Sequence, residues 1–165
     1  AIFDLVISLI GAMFATRPEL ESTEIARVHR PGGSVYMANW TPRSMPAQIF
    51  KAVSAVVPPP AGVLPPVLWG DEDTVLERLG AEFNRIKLNR CNDPKWHSPF
   101  DAERLTELFR SHFGPVKRAF DAADKHSAKQ FFKMLRDIFN DHGEFDGETL
   151  TITRGELLLV SATRR

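Results

Sequence analysis

The chain has 165 residues, of which 43% are hydrophobic and 25% charged, with 21 basic and 21 acidic side chains. This composition is typical of a globular domain, and the balanced charge provides no broad field for attracting nucleic acid or an anionic membrane. The one cysteine, Cys91, excludes an intrachain disulfide and a multi-cysteine metal site. No apolar run reaches the ~20 residues that span a bilayer. We therefore expect a cytoplasmic protein without a metal, a nucleic-acid partner or a membrane span.

The sequence begins with a continuous apolar run, predicted as a strand over residues 3–9 and ended by Gly11. Such a run is typical of a strand buried on both faces of a parallel sheet. A chain seldom begins with such a central strand, so we expect that the sequence is truncated. Residues 3–8 would then form an apolar sheet edge, able to pair with a second copy or with a completing chain.

A helix through Val28 is predicted after this strand, because Thr16-Arg17-Pro18-Glu19 has the form of a capping box. Arg30-Pro31-Gly32-Gly33 is expected to end the helix and to turn the chain into a second buried strand over residues 34–40. A strand, a helix and a strand in this order form a right-handed crossover. The two strands are therefore expected to be parallel neighbours.

The segments after residue 40 give weaker signals of secondary structure, taken here in chain order. The expected elements are a helix from near Ser44, a proline-rich loop over 58–66, a short helix from Asp71, a strand over 82–89, a helix from Ser98–Asp101 closed by Gly114-Pro115, one long helix from Val116 to Asp141, and a strand over 156–163. The last two strands are expected to pair antiparallel. The prediction is an α/β fold with a partial Rossmann-like sheet, covered by helices.

Several segments, in this order, resemble class I S-adenosylmethionine-dependent methyltransferases that act on small molecules, of the type found in ubiquinone and menaquinone biosynthesis. The segments are Phe3–Ser8 with Gly11–Phe14, Arg30–Gly33, Ala38–Pro42, Trp69-Gly70, Phe113–Pro115 and Leu159–Arg165. Some of them are similar to a bacterial subgroup of that family. The resemblance covers nearly all of the chain and implies a methyltransferase with S-adenosylmethionine as its cofactor.

One part of the family pattern has no counterpart here. The family holds its cofactor with a glycine-rich loop after the first strand and an acidic residue after the second, and no G-x-G pattern occurs in this sequence. The resemblance therefore implies the C-terminal portion of one methyltransferase domain, residues 1–165, inactive by itself. Residues 41–80 and 94–148 would be its substrate-covering elements.

The resemblance also implies site residues. Ser8, Leu9, Gly11 and Phe14 are expected to border the cofactor, since ligands bind beyond the carboxyl ends of parallel strands. Phe14 could contact the sulfonium or simply be a core residue. Ser8 could instead cap a turn with its hydroxyl.

Trp40, Trp69 and His97 are candidates for contact with a small-molecule methyl acceptor. Each has a plainer alternative, a filled gap between helix and sheet for the tryptophans and a capping or surface position for the histidine. No catalytic residue is assigned, because methyl transfer requires mainly alignment of the reactants. A non-catalytic interaction module that pairs through the strand at 3–8 remains the alternative function.

Overall fold

The computed structural model describes residues 2–92, 95–153 and 155–165, which form two compact units. Unit 1 consists of Ala1–Pro42, Gly62–Asn92 and Glu156–Arg165, and unit 2 of Arg43–Ala61 and Asp93–Gly155. Residues 62–80, expected among the covering elements, thus belong to the unit that contains the larger sheet.

Seven strands and six α-helices are present in the described ranges. In chain order they are β1 (Phe3–Leu9), α1 (Pro18–Val28), β2 (His29–Trp40), α2 (Met45–Val56), α3 (Glu72–Leu79), β3 (Phe83–Cys91), β4 (Trp96–Ser98), α4 (Ala102–His112), α5 (Gly114–Ala122), α6 (Lys125–His142), β5 (Gly143–Phe145), β6 (Leu150–Ile152) and β7 (Leu157–Arg164). Two short 3-10 helices, Ala12–Phe14 and Pro66–Gly70, belong to unit 1. None of the helices in the described residues is long and apolar enough to cross a membrane.

The sheet of unit 1 has the strand order β1-β2-β7-β3. Strands β1 and β2 are parallel, in a register that pairs Leu5 with Ser34 and Leu9 with Ala38. Strand β7 is antiparallel to both β2 and β3. The predicted α/β fold, with a parallel pair beside an antiparallel pair, is confirmed.

The start of β2 differs from the expected turn. Residues Arg30–Gly33 lie within β2, which begins at His29, and α1 has already ended at Val28. Gly32 has a φ of 81°, and the register of β1 with β2 shifts between Phe3 and Leu5. The prediction of a helix-ending turn was wrong because the Pro-Gly-Gly segment forms an irregularity inside a strand.

Of the four helix starts predicted near Thr16, Ser44, Asp71 and Asp101, three have a side-chain cap at the named residue. Ser44, Asp71 and Asp101, near which the helix starts were predicted, each accept a hydrogen bond from a backbone N–H in the first turn of α2, α3 and α4. The capping box at Thr16 was wrong, because the residue at the cap of α1 is Arg17, whose side chain makes no capping hydrogen bond. Pro18 does occupy the first turn, where a missing N–H costs little.

The two faces of the unit 1 sheet have opposite environments. One face, here called the covered face, carries buried side chains that are each 0–4% exposed: Val35, Met37, Leu158, Val160 and Ala162. The other, here the open face, carries the side chains that alternate with these, and it exposes Leu5, Ile7, Leu9, Tyr36 and Leu159. Strand alternation explains the two sets, since successive side chains point to opposite faces.

Unit 2 is built around an apolar core between α2, α4, α5 and α6, with Leu105, Phe131, Leu135 and Phe139 fully buried. The single long helix predicted from Val116 was wrong. Asp124 accepts hydrogen bonds from two backbone N–H groups and starts α6 as a separate helix. A three-stranded antiparallel sheet of order β4-β6-β5 also belongs to this unit and had not been predicted.

Candidate functional site at the strand ends

The carboxyl ends of β1 and β2 meet at one edge of the unit 1 sheet, because these strands are parallel. Beyond β1 the chain turns sharply at Ile10, whose φ is 62° and whose N–H donates to the Ala38 carbonyl over 2.8 Å. The 3-10 helix Ala12–Phe14 follows directly. This strand-end turn, residues 8–14, is the part of unit 1 where the parallel-strand rule places a ligand.

Ser8 holds the turn together. Its Oγ accepts a hydrogen bond from the Ala12 N–H at 3.0 Å, which fixes the first residue of the 3-10 helix to the end of the strand. The hydroxyl therefore caps the turn, and its contact with a cofactor stays a prediction.

Gly11 has no steric reason to be glycine within this chain. Its φ is −69°, which every residue type adopts, and a Cβ built on it would lie 3.5 Å from Ser8 Oγ, an ordinary contact. The residue is also exposed. A requirement for glycine would thus have to come from something outside the described residues, such as a ligand that approaches the backbone closely.

Leu9 and Phe14 present apolar surface on the two sides of the turn. Leu9 is 72% exposed and Phe14 is 51% exposed. The alternative that Phe14 is a buried core residue does not hold, since half of its side chain reaches solvent. Whether the ring contacts a cofactor stays a prediction.

Trp40 ends β2 beside this turn. Its backbone N–H donates to Met13 Sδ at 3.2 Å, and its carbonyl lies against Gly70, where an added Cβ would come within 2.1 Å of the carbonyl oxygen. Glycine at position 70 is therefore required by close backbone packing. The Trp69-Gly70 segment and the end of β2 are brought together in unit 1, and substrate contact by Trp40 stays a prediction.

Trp69 itself is 1% exposed. The Arg78 guanidinium lies over its indole ring, 4.7 Å from the centroid. Burial raises the pKa of the neighbouring Glu21 carboxyl to about 7, and the Trp69 indole N–H and the Arg78 charge oppose that rise only in part. Glu21 Oε2 and Trp69 Nε1 are both buried without a hydrogen bond of good geometry in the described residues. In this structure Trp69 is a core side chain, so its substrate-binding role stays a prediction.

Sequence reasoning missed a polar group just beyond Trp40. Thr41 Oγ1 donates to the buried Glu156 carboxylate at 2.6 Å, and Arg90 donates to the same oxygen at 3.1 Å and to Glu72 at 2.7 Å. Asn39, at the end of β2, is fully buried, and neither of its amide atoms has a hydrogen-bond partner in the described residues. The signal available was a lone asparagine between Ala38 and Trp40 in an apolar strand.

His97 lies on β4 in unit 2, whereas the other six candidates lie in unit 1. It is exposed, and its Nδ1 is 3.0 Å from Thr151 Oγ1 on the neighbouring strand β6. This is a surface histidine held by one hydrogen bond. Its contact with a substrate stays a prediction.

The strand-end turn combines exposed apolar side chains, Leu9 and Phe14, with open backbone at Gly11. Contact of these residues with a cofactor stays a prediction. The described ranges contain no cluster of three or more His, Cys, Asp or Glu side chains that could hold a metal ion.

Comparison of the sequence with known proteins gives similar chains of greater length. The uncharacterized protein Rv1403c of Mycobacterium tuberculosis is 31% identical over 121 residues, which cover 72% of this chain and 43% of that protein. The uncharacterized protein Rv1405c of the same organism is 33% identical over 121 residues, which again cover 72% of this chain and 43% of that protein. This chain thus spans less than half the length of these curated relatives. No family model matches it.

Comparison with solved structures gives proteins of similar fold. The YcgJ protein from Bacillus subtilis is 14% identical, with a TM-score of 0.51 over 99% of this chain and 64% of that chain. A Haemonchus contortus phosphoethanolamine N-methyltransferase 2, solved with S-adenosylhomocysteine, is 14% identical, with a TM-score of 0.48 over 98% of this chain and 33% of that chain. At these identities the likeness to YcgJ shows a shared α/β fold and nothing finer.

Proposed function

We propose that this chain contributes to S-adenosylmethionine-dependent methyl transfer to a small molecule, as part of a longer or completed enzyme. Two things support the proposal: the family-like segments of the sequence, and a mixed sheet whose parallel strands end where that family would place its cofactor. When bound, the cofactor supplies an electrophilic methyl group on a sulfonium. The chain's own residues would bind and align the reactants.

The strand-end turn is the observation that carries this proposal. Leu9 and Phe14 remain exposed at the carboxyl edge of the parallel pair, although both are large apolar side chains. An aromatic face beside a sulfonium gains about 0.5–2 kcal/mol from cation–π attraction. Phe14 would thus orient the cofactor, and Leu9 would contact its apolar part.

The test is a calorimetric titration with S-adenosylhomocysteine. We expect little binding by residues 1–165 alone, because no glycine-rich loop or ribose-binding acid is present, and measurable binding by a longer polypeptide that includes these residues. In that longer polypeptide Phe14→Ala should weaken binding of S-adenosylmethionine, which carries the sulfonium, by about two- to thirtyfold, the factor that corresponds to 0.5–2 kcal/mol, and should weaken binding of S-adenosylhomocysteine, whose sulfur is uncharged, by less.

Leu76→Ala on α3 is the matched control, since Leu76 is 44% exposed and lies away from the turn in sequence and on another element. It should leave the affinity unchanged. Absence of binding by a folded longer polypeptide would reject the methyltransferase proposal.

A second candidate function is an interaction module that pairs through the edge of β1. Strand β1 lies at the end of the sheet, with Phe3, Leu5 and Ile7 each about half exposed. An exposed apolar edge strand presents unpaired backbone groups that can pair with another strand. A homodimer or a complex with a completing chain would follow.

Sedimentation equilibrium separates this candidate from the first. Edge pairing predicts association that Phe3→Lys weakens, because lysine on an edge strand disfavours strand addition. A well-folded monomer at all accessible concentrations, with no partner strand bound, would count against edge pairing and leave the methyltransferase proposal intact.

A further inference from the structure

Three side chains of unit 1 bring buried polar atoms to one place. Glu21 belongs to α1, Trp69 to the 3-10 helix Pro66–Gly70 and Arg78 to α3, and we call these three residues the Glu21 cluster. Glu21 Oε2, Trp69 Nε1 and Arg78 Nη1 are each buried, and none has a hydrogen-bond partner of good geometry in the described ranges. Buried polar groups are normally paired, so this cluster requires a physical explanation. Its two donors and one acceptor are complementary.

Arg78 has two partners available within the cluster. Its guanidinium lies over the indole ring of Trp69, 4.7 Å from the centroid, in a cation–π contact. Its charge also favours the ionised form of the Glu21 carboxyl, but the two side chains form no ion pair in the part of the chain that the structure describes. A guanidinium binds a carboxylate more strongly than it binds a neutral carboxylic acid. The charge on Glu21 therefore decides which partner Arg78 prefers.

The charge on Glu21 changes near neutral pH. Burial raises the pKa of this carboxyl to about 7, and the Trp69 indole N–H and the charge of Arg78 oppose the rise only in part. Burial also lowers the pKa of Arg78, but a guanidinium remains protonated well above neutral pH. Glu21 is thus the member of the cluster that gains and loses a proton.

Other charged groups act on the cluster less directly. Glu19 on α1 and Glu77 on α3 act through Arg78, whose protonated form they favour. The 3-10 helix Pro66–Gly70 carries no titratable side chain. The titratable residues that β2 and β7 bring to α1 lie near its C-terminal end: His29, Arg30 and Arg164. The charge that faces Glu21 most directly is therefore that of Arg78.

The Glu21 cluster is connected to the strand-end turn by direct contacts. Gly70, next to Trp69 in the chain, packs so closely on the Trp40 carbonyl at the end of β2 that no Cβ would fit between them. The Trp40 N–H in turn donates to Met13 Sδ at 3.2 Å, within the 3-10 helix Ala12–Phe14. Protein interiors are close-packed and leave no slack between such groups. A displacement of the Trp69 ring must therefore be accommodated at Gly70 and at the end of β2.

We propose that the Glu21 cluster is a proton-operated switch that adjusts the packing of the Trp69-Gly70 segment against the end of β2. With Glu21 protonated, Arg78 lies over the indole ring, as in this structure. When Glu21 releases its proton to solvent, the Trp69 N–H and the Arg78 guanidinium both turn to the carboxylate, which pairs all three unpaired atoms. The proposal concerns unit 1 alone and depends on neither cofactor binding nor edge pairing.

The test is an NMR titration of residues 1–165 from about pH 5 to about 9, which brackets the titration of a raised carboxyl. The chain has three tryptophans, and Trp40→Phe and Trp96→Phe assign their indole N–H signals. Both substituted side chains reach solvent, so these variants should fold. We expect the Trp69 indole N–H signal to shift with a midpoint near pH 7. The backbone N–H of Leu135, buried in unit 2, is the internal reference and should not share this midpoint.

Three variants identify the groups responsible. Glu21→Gln should remove the transition, because the amide does not titrate. Glu24→Gln, on the same helix and fully exposed, is the matched control and should leave the midpoint unchanged. Arg78→Gln should move the midpoint to higher pH, since the lost charge favours the carboxylate, and should reduce the size of the indole shift. A purely structural role of Arg78 would not move the midpoint.

The backbone N–H signals of Gly70 and Trp40 report whether the switch reaches the end of β2. We expect both to shift with the midpoint of the Trp69 indole in the wild type and to lose that transition in Glu21→Gln. Three results would overturn the proposal. They are a Trp69 indole signal that does not titrate over this range, a transition that persists in folded Glu21→Gln, and a Trp69 transition that leaves the Trp40 signal unchanged.

Discussion

The covered and the open face of the unit 1 sheet are made by the same strands and are similarly apolar, yet one is buried and the other is exposed. On β7, Leu158 is fully buried and its neighbour Leu159 is 39% exposed. Residue type therefore does not decide burial in this sheet. Burial follows from the elements that pack on each face, and unit 1 supplies helices to one face only.

The largest expected effect tests this comparison on two adjacent leucines. Leu158→Ala should lower the free energy of unfolding by about 3 kcal/mol, within the 2–5 kcal/mol range for removal of a buried leucine side chain. Leu159→Ala should cost less than about 1 kcal/mol, because much of its side chain is already in water. Urea unfolding of both variants measures the difference.

The contrast between the two faces would be contradicted if both substitutions lowered the free energy of unfolding by the same amount. Equal large costs would mean that the open face is already covered in solution, by a second copy for instance.

An effect of intermediate size on stability is expected from the titration of Glu21, on a helix of the covered side. The pKa of Glu21 on α1 is raised by burial from 4.5 to about 7. The folded protein then holds a proton that the unfolded chain releases, so stability is greatest below about pH 4.5 and falls as the pH rises through about 7. With allowance for the solvent that reaches this half-buried carboxyl, the loss is of order 1 kcal/mol.

Thermal unfolding between pH 5 and about 8 measures this loss, and Glu21→Gln should flatten the profile because the amide does not titrate. Glu24→Gln is the control, since Glu24 is on the same helix and fully exposed, with its pKa lowered by its hydrogen bond to Arg27. A profile that is the same for wild type and Glu21→Gln would contradict the raised pKa.

The smallest expected change in stability is at Gly11. Gly11→Ala should leave the free energy of unfolding unchanged or raise it by up to about 1 kcal/mol, because the native φ suits alanine and a Cβ has room. In a longer polypeptide that includes residues 1–165, the proposed cofactor contact predicts that the same substitution weakens S-adenosylhomocysteine binding. Unchanged affinity with unchanged stability would remove Gly11 from the proposed site.

Local signals in the sequence predicted much of the fold. A continuous apolar run identified β1, and capping side chains at Ser44, Asp71 and Asp101 located three helix starts. The predictions failed where two local signals conflicted or where an element was too short to show its pattern. Asp124 interrupts an otherwise helical apolar pattern, and the three-residue strands β4, β5 and β6 are too short to show alternation.

The candidate site could be predicted only in part. Parallel strand order and the apolar residues at the end of β1 indicate where a ligand would lie. The pairing of Thr41 with Glu156 joins residues 115 positions apart, and no spacing rule indicates such a contact. The burial of Trp69 also depends on the packing of Gly70 against Trp40, which is a tertiary contact.

The single thiol of the chain has a practical consequence. Cys91 is the last residue of β3 and pairs with Leu157, at the border of the open face. It is half-buried and free. A fluorophore attached there would sit at the border of the open face, without competing labels elsewhere in the sequence. The protein thus carries its own reporter position, and any binding at that face would be followed in real time by quenching or energy transfer.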